Sequence, residues 1–431
     1  MLATLTIALL LGAATEEAPS LPNPLTLPQA EEIFLEHGLD LLVVEAQARG
    51  AEGDLRAAGA HPNPGLDVAV MFGPATNHDI LASTGPIQQS LGLSLGLTDN
   101  AAIEDILSGK HSLRIQAAAK ALASAQQAVE DLKRNELSEL RQAFAAVLLA
   151  KENLDFAGEV QKSYDQTYDL NSIRYKKGDI SEADLAKIAV AKLEADQAMT
   201  QAAQGLELSK DSLAFLLGVR GAIPEFEVVG SLEHQELATL NAQGADALLA
   251  QGLANRPDVK VAVANREQQE ALVTQARRLV MPDIALQLGY SEQCNTAECS
   301  SAPTFNVGLQ ANLPIFYQQQ GEIRRAESNL AAATASEAKA RAQVLSDVTQ
   351  AWASYRSARE LVDRMEKAEL KQAKLSRDLE ELMYRKGAAS LLEFLDAERT
   401  YIATNLEYRQ DLAAYWDAIY QLEQATAVRL R

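Results

Sequence analysis

Residues 37–73, HGLDLLVVEAQARGAEGDLRAAGAHPNPGLDVAVMFG, lie without a gap on residues 255–291, NRPDVKVAVANREQQEALVTQARRLVMPDIALQLGYS. Asp40 falls on Asp258, Ala46 on Ala264, Glu52 on Glu270 and Pro64 on Pro282. After each of those prolines the chain alternates apolar with small or polar residues. A second pair of blocks repeats as well: Arg174-Tyr175-Lys176-Lys177-Gly178 matches Met383-Tyr384-Arg385-Lys386-Gly387, with Ser181 on Ser390. Both halves read as helix, strands, long helix, turn, helix. A repeat of this length predicts a two-fold pseudo-symmetric protomer in which neither half closes alone. The expected boundaries are a first repeat over 15–217, a connector over 218–243 and a second repeat over 244–431.

Proline placement sets the helices. None occurs between Pro86 and Pro224 or after Pro314, and Ala, Leu, Glu, Gln, Lys and Arg fill those stretches. These are the strongest helix formers, and proline is what a helix interior least tolerates. The spacing predicts a helix from Leu27 to about Ala60, a very long one from Lys110 to Tyr175, and a return helix from Ser181 to about Leu217. The first long helix covers roughly 95–100 Å at about 1.5 Å per residue. In the second half, helices are expected over 246–279 (interrupted near Arg256-Pro257), 322–384 and 390–428. Ala-rich stretches at 117–125 and 331–342 suit coiled-coil approach.

The formal charge of −20 excludes a nucleic-acid partner, which needs a basic surface. No HExxH, phosphate-cradling glycine loop or activated Ser or Cys is present, so neither an enzyme nor a cofactor is expected. Leu107-Ser108-Gly109-Lys110 ends like a phosphate loop but lacks its upstream glycine. Residues 1–14, with the apolar run LATLTIALLLG, have the form of a signal peptide too short to span a bilayer. The two cysteines, Cys294 and Cys299, share a polar loop, and the five histidines are too scattered to complete a metal site with them. In an exported chain this pair reads as a disulfide.

The strands indicate the compartment. Leu66, Val68, Val70 and Phe72 alternate with Asp67, Ala69 and Met71, and Leu91, Leu93, Leu95 and Leu97 with Gly92, Ser94, Gly96 and Thr98. The second hairpin repeats the pattern through Ile284, Leu286, Leu288 and Tyr290, then Phe305, Val307, Leu309, Ala311 and Leu313. A lipid-facing outside and a water-facing inside account for it, at the strand length an outer membrane requires. Sheet edges in lipid must close, and four strands are too few to close alone. Three chains supply twelve, within the range of roughly 8–26 for such barrels. A soluble coiled-coil scaffold is the alternative of a different class; it leaves the two aliphatic hairpin faces unexplained.

On the duplicated order, Pro62-Asn63-Pro64 and the tyrosine-to-glycine turns, the chain resembles the TolC-type outer-membrane efflux channels over nearly its whole length. Ala58-Gly59-Ala60-His61-Pro62-Asn63-Pro64 is most similar to the branch serving heavy-metal and related resistance-nodulation-division pumps. The resemblance implies a mainly α protomer with a small β part. Long coiled-coil helices and two β-hairpins would form a trimeric α-helical barrel plus a shared 12-stranded β-barrel, with the connector in a belt at the equator. It implies a passive duct in the outer membrane, extending into the periplasm. Its expected partners are two further copies of itself, outer-membrane lipid, a periplasmic adaptor and an inner-membrane pump. A type I protein-secretion conduit stays open beside small-molecule or metal efflux, because the pump chooses the cargo.

The resemblance also places a gate at the second turn. Tyr384, Glu393 and Asp396 stand where the family has a tyrosine and two acids around the turn glycine, whereas Ala389 replaces the family's arginine. An i, i+3 pair puts both carboxylates on one helix face, and three-fold symmetry would make them cation-favouring rings. Crowding in such rings would raise some of their pKa values. The first turn has Lys187 in place of Asp396, so only the second is the expected constriction. Lys177, Gly178, Lys386 and Gly387 are the expected adaptor-contact tips.

Overall fold

A computed structural model describes residues 19–74, 89–237, 240, 244–295 and 303–430. Among these, the element order is α1 (Leu27–His37), α2 (Leu39–Gly59), β1 (Gly65–Pro74), β2 (Gln89–Thr98), α3 (Ala102–Leu107), α4 (Lys110–Lys177) and α5 (Glu182–Leu216). It continues with α6 (Ala245–Asn255), α7 (Pro257–Arg278), β3 (Ile284–Asn295), β4 (Thr304–Ala311), α8 (Gln320–Arg364), α9 (Leu370–Lys386) and α10 (Leu391–Thr426). The protomer is mainly helical with one small antiparallel sheet. The expected signal peptide over 1–14 and Cys299 lie outside the described residues.

Contacts divide the chain into two compact units, each drawing on both sequence halves. One comprises Met1–Glu45, Ala128–Pro257 and Arg341–Arg431; the other Ala46–Gln127 and Asp258–Ala340. In the first, the core follows the inner face of α10, where Leu412, Tyr415, Trp416, Ile419 and Leu422 are buried. The connector is tied to this helix: Tyr415 Oη donates to Gln235 O at 2.7 Å and Trp416 Nε1 to Glu233 O at 3.1 Å. Its β-rich piece pairs with the N-terminal lead, Leu25 N donating to Glu227 O (2.7 Å) and Val229 N to Leu25 O (2.9 Å). Arg141 on α4 bridges Glu31 of α1 (2.7 Å) and Glu423 of α10 (2.8 Å). Gly218, at φ +78°, ends the α5 turn where a Cβ would stand 2.2 Å from His37 O, so a side chain has no room there.

The second unit holds the sheet, in the order β1-β2-β3-β4. Its register aligns the aliphatic residues into continuous rows: Leu66, Leu97, Leu288 and Val307 form one, and Val68, Leu95, Tyr290 and Phe305 the next. The opposite face carries Asp67, Gly96, Gly289 and Asn306 in the corresponding row. Leu66, Val68, Phe72, Leu95, Phe305 and Val307 are exposed, so among the described residues no helix covers these rows, and α3 lies only beside the strand ends at Ile284, Leu286 and Leu309. Among the described residues, no helix is long and apolar enough to cross a membrane. Arg114 holds the end of α2 in this unit, donating to Ala58 O (3.0 Å) and Ala60 O (3.3 Å), carbonyls that lack helical partners.

Four departures from the sequence expectations have local causes. The helix expected from Leu27 to Ala60 is two helices, because Gly38 leaves helical geometry (φ −56°, ψ 120°) and the Phe34 ring fills the space beside it. Short α3 intervenes between β2 and α4: Asp99 accepts the Ala101 N–H (3.2 Å) and Asn100 and Ala101 turn through positive φ. The long helix expected over 322–384 contains a π turn at Met365–Glu369. Within it Glu366 meets His234 Nδ1 at 3.0 Å and accepts from Tyr408 Oη at 2.9 Å. Finally, β4 stops at Ala311, before Leu313 and the donor-less Pro314.

Candidate functional site

The two repeated turns lie in one unit and share one backbone design. In the first, Gly178 N donates to Tyr175 O and Asp179 N to Arg174 O, both at 2.9 Å. In the second, Gly387 N donates to Tyr384 O (3.1 Å) and Ala388 N to Met383 O (2.8 Å). These paired bonds make a Schellman motif, which satisfies the last carbonyls of α4 and α9 and needs a left-handed residue. Gly178 and Gly387 supply it at φ +82° and +74°, and no atom lies within 4 Å of where a Cβ would stand. Each turn then starts a helix on a serine cap: Asp184 N donates to Ser181 Oγ (3.1 Å), and Glu393 N to Ser390 Oγ (3.3 Å). Lys177, Gly178, Lys386 and Gly387 are all exposed.

The side chains break the symmetry. Tyr175 is 39 % exposed, whereas its counterpart Tyr384 is 8 % exposed. Tyr384 packs with Tyr164 of α4, Ile188 and Ala191 of α5, and Leu391 and Phe394 of α10. Its ring stacks on Phe394 at 5.3 Å and 5°. The Arg174 guanidinium sits over the ring 5.4 Å from its centre. Its hydroxyl donates to Asn171 Oδ1 at 2.6 Å, and Asn171 Nδ2 donates to Thr167 O at 2.8 Å. Burial raises the Tyr384 phenol pKa, partly offset by Arg174.

Asn171 and Arg174 are the residues sequence reasoning missed. Asn171 carried no signal of its own, because α4 also holds Asn135 and Asn153.

The two acids behave differently from a free ring. Glu393 closes a capping box, its Oε2 accepting the Ser390 N–H at 2.7 Å. That backbone bond, with the Ser390 hydroxyl, lowers the Glu393 pKa, the opposite direction to crowding. Asp396, one turn on, is exposed. At the first turn Asp184 is also held low, chiefly by the Ser181 hydroxyl and then by Lys187, whose Nζ lies 3.3 Å from Oδ1. At the first turn Lys187 thus pairs with Asp184, the counterpart of Glu393, while at the second Glu393 and Asp396 have no ion pair among the described residues.

Gly109 turns at φ +76° between α3 and α4, and Lys110 is engaged with Asp283 at 2.7 Å, so the phosphate-loop likeness is a helix junction. Cys294 falls on β3, opposite Leu91 in the register.

This arrangement of exposed aliphatic sheet and paired helix turns has known relatives. The family described as outer membrane efflux protein matches residues 32–219 and 248–428. The cobalt-zinc-cadmium resistance protein CzcC of Cupriavidus metallidurans is 24 % identical over 403 residues, covering 93 % of this chain and 90 % of that one. The cation efflux system protein CusC of Escherichia coli is 26 % identical over 288 residues, 62 % of this chain and 58 % of that one. A crystal structure of CusC superposes with a TM-score of 0.77 at 19 % identity, covering 95 % of this chain and 99 % of the other. With the family pattern spanning both halves and the fold shared from end to end, the chain belongs to the outer membrane efflux protein family.

Proposed function

We propose that the protein is the exit duct of a tripartite efflux assembly, working as a homotrimer with a periplasmic adaptor and an inner-membrane pump. The observation that carries this reading is the sheet: β1 and β4 are its open edges, and its aliphatic face is uncovered. Unpaired strand edges are not tolerated in hydrocarbon, so each β4 must meet the β1 of another copy. The small and polar face, with Asp67, Ser94, Gln287 and Asn306, then lines a wet lumen.

Metal cations are the cargo class favoured here. The similarity to CzcC and CusC, both named for cation handling, supports this, as does the uncompensated acidic pair at the second turn. Selection of cargo rests with the pump; the duct performs no chemical step and acts as a conduit rather than an enzyme. The constriction is formed by Tyr384, Glu393 and Asp396. The adaptor meets the exposed turns at Lys177-Gly178 and Lys386-Gly387.

Recording from the purified protein in a planar bilayer with a salt gradient tests the reading. The expected result is discrete conductance with a reversal potential displaced toward the cation equilibrium value. Absence of any channel activity from properly extracted protein would overturn it.

A further inference from the structure

On the aliphatic side of the sheet, α3 and the turn before β3 enclose a groove of about 540 Å³. Its apolar walls are Ile103 and Leu107 of α3, Met281, and Ile284, Leu286 and Leu309 of β3 and β4. Leu286 pairs with Leu309, and the next outward pair, Leu288 with Val307, belongs to the lipid-facing row. The groove therefore opens directly off the membrane surface, at the strand ends from which the helices leave.

It is held in shape by polar bonds. Lys110, 5 % exposed, donates to Met281 O (2.9 Å), Asp283 Oδ1 (2.7 Å) and Glu104 Oε1 (3.4 Å). Asp99 accepts the Leu286 N–H at 2.7 Å. Asp283 thus faces a cation and Asp99 a backbone amide, whereas Glu104 meets Lys110 through Oε1 alone and its Oε2 is buried without a hydrogen-bond partner among the described residues. Arg278 reaches the end of α3 from α7: its Nη1 donates to the carbonyl of Ser108, a residue of the groove wall, at 2.8 Å, and Arg278 is exposed. Leu107 beside it is 81 % exposed.

An apolar groove continuous with a lipid-facing surface, with an exposed guanidinium bonded to its Ser108 wall, is complementary to an amphiphile having an acyl tail and a phosphate head. We infer that each chain holds one phospholipid of the periplasmic leaflet here, an acyl chain lying between α3 and the strands and its phosphate on Arg278. The inference rests on the outer-membrane reading and adds a specific lipid site to it.

Native mass spectrometry of the detergent-purified full chain, incubated with palmitoyl-oleoyl phosphatidylethanolamine, tests it. The wild type is expected to retain up to one lipid per chain on the assembled oligomer. Ile103→Trp, which fills the groove, is expected to lower retention about tenfold, and Arg278→Ala about threefold, with the oligomer mass unchanged. Leu309→Trp fills it from the opposite wall should the first variant not assemble. Equal retention by wild type and variants, or none by the wild type, would overturn the site while leaving the duct reading intact. Inter-chain cross-linking through Leu107→Cys would make the groove a subunit contact and also overturn it. A wild type that forms no oligomer in detergent would instead remove the duct reading, and the lipid site with it.

Discussion

The Tyr384 hydroxyl donates to Asn171 Oδ1 at 2.6 Å, joining the last turn of α9 to α4 where both residues are buried. Their sequence separation is large, so the bond fastens the two helix pairs of one chain together beside the turn that carries the acidic residues. Tyr384→Phe removes the donor and leaves a buried amide oxygen unsatisfied, which costs about 1–3 kcal/mol. In a planar bilayer this variant is expected to open more often than the wild type. Asn171→Leu combined with Tyr384→Phe should cost less than the two single changes added together, because the double variant strands no polar group. Strict additivity in thermal unfolding would show that the pair does not act as a lock.

The acidic pair is best tested without disturbing the helix start. Glu393→Ala would remove the reciprocal half of the capping box along with a charge. Glu393→Gln keeps an oxygen for the Ser390 N–H and removes only the charge. The double variant Glu393→Gln with Asp396→Asn is expected to lose much of its cation preference while remaining assembled. Because Glu393 is held below its ordinary pKa, a mildly acidic solution should leave its charge, and its share of the selectivity, in place. An unchanged reversal potential in the double variant would place the constriction elsewhere.

Asp417 on α10 gives a pH signature in the helical unit. Burial pushes its carboxyl up to about 6 from an ordinary value of 3.8. A raised carboxylate pKa means that the ionised form is disfavoured in the fold. The penalty is complete above pH 6, shrinks as pH falls toward 3.8, and vanishes below it. Asp417→Asn should therefore raise the unfolding temperature at pH 8 and leave it nearly unchanged at pH 4. A shift of this size corresponds to at most about 3 kcal/mol, and partial exposure should reduce it to about half. An Asn variant no more stable than wild type at pH 8 would contradict the assignment.

Thiol chemistry addresses the second hairpin. Cys294 ends up on β3, and Cys299 follows it in the sequence, outside the described residues. We expect the two to be joined in protein from an oxidising compartment, unreactive to maleimide until reductant is added. Immediate labelling of both would exclude the bridge.

The fold was legible where the chain repeats a physical pattern. Proline-free runs marked the long helices, and the alternation around Val68 and Leu95 marked strands that the register then set side by side. Side-chain placement, which periodicity does not carry, hid the rest. The break at Gly38 depends on where the Phe34 ring packs, and α3 depends on Asp99 capturing a neighbouring amide. At the site, the turns at Gly178 and Gly387 were readable because they are local and repeated in sequence, whereas the capping box that Glu393 closes was not read, the residue being expected only as a pore acid. The Tyr384–Asn171 bond was not, since nothing local pairs residues so far apart in the chain.

Four strands per chain are too few to close a barrel alone, so closure requires other copies. Light scattering of the detergent-extracted protein, corrected for bound detergent, measures this most directly. A single species with the mass of three chains is expected, one that loses solubility when detergent is withdrawn. A monodisperse single chain that stays in solution without detergent would contradict it.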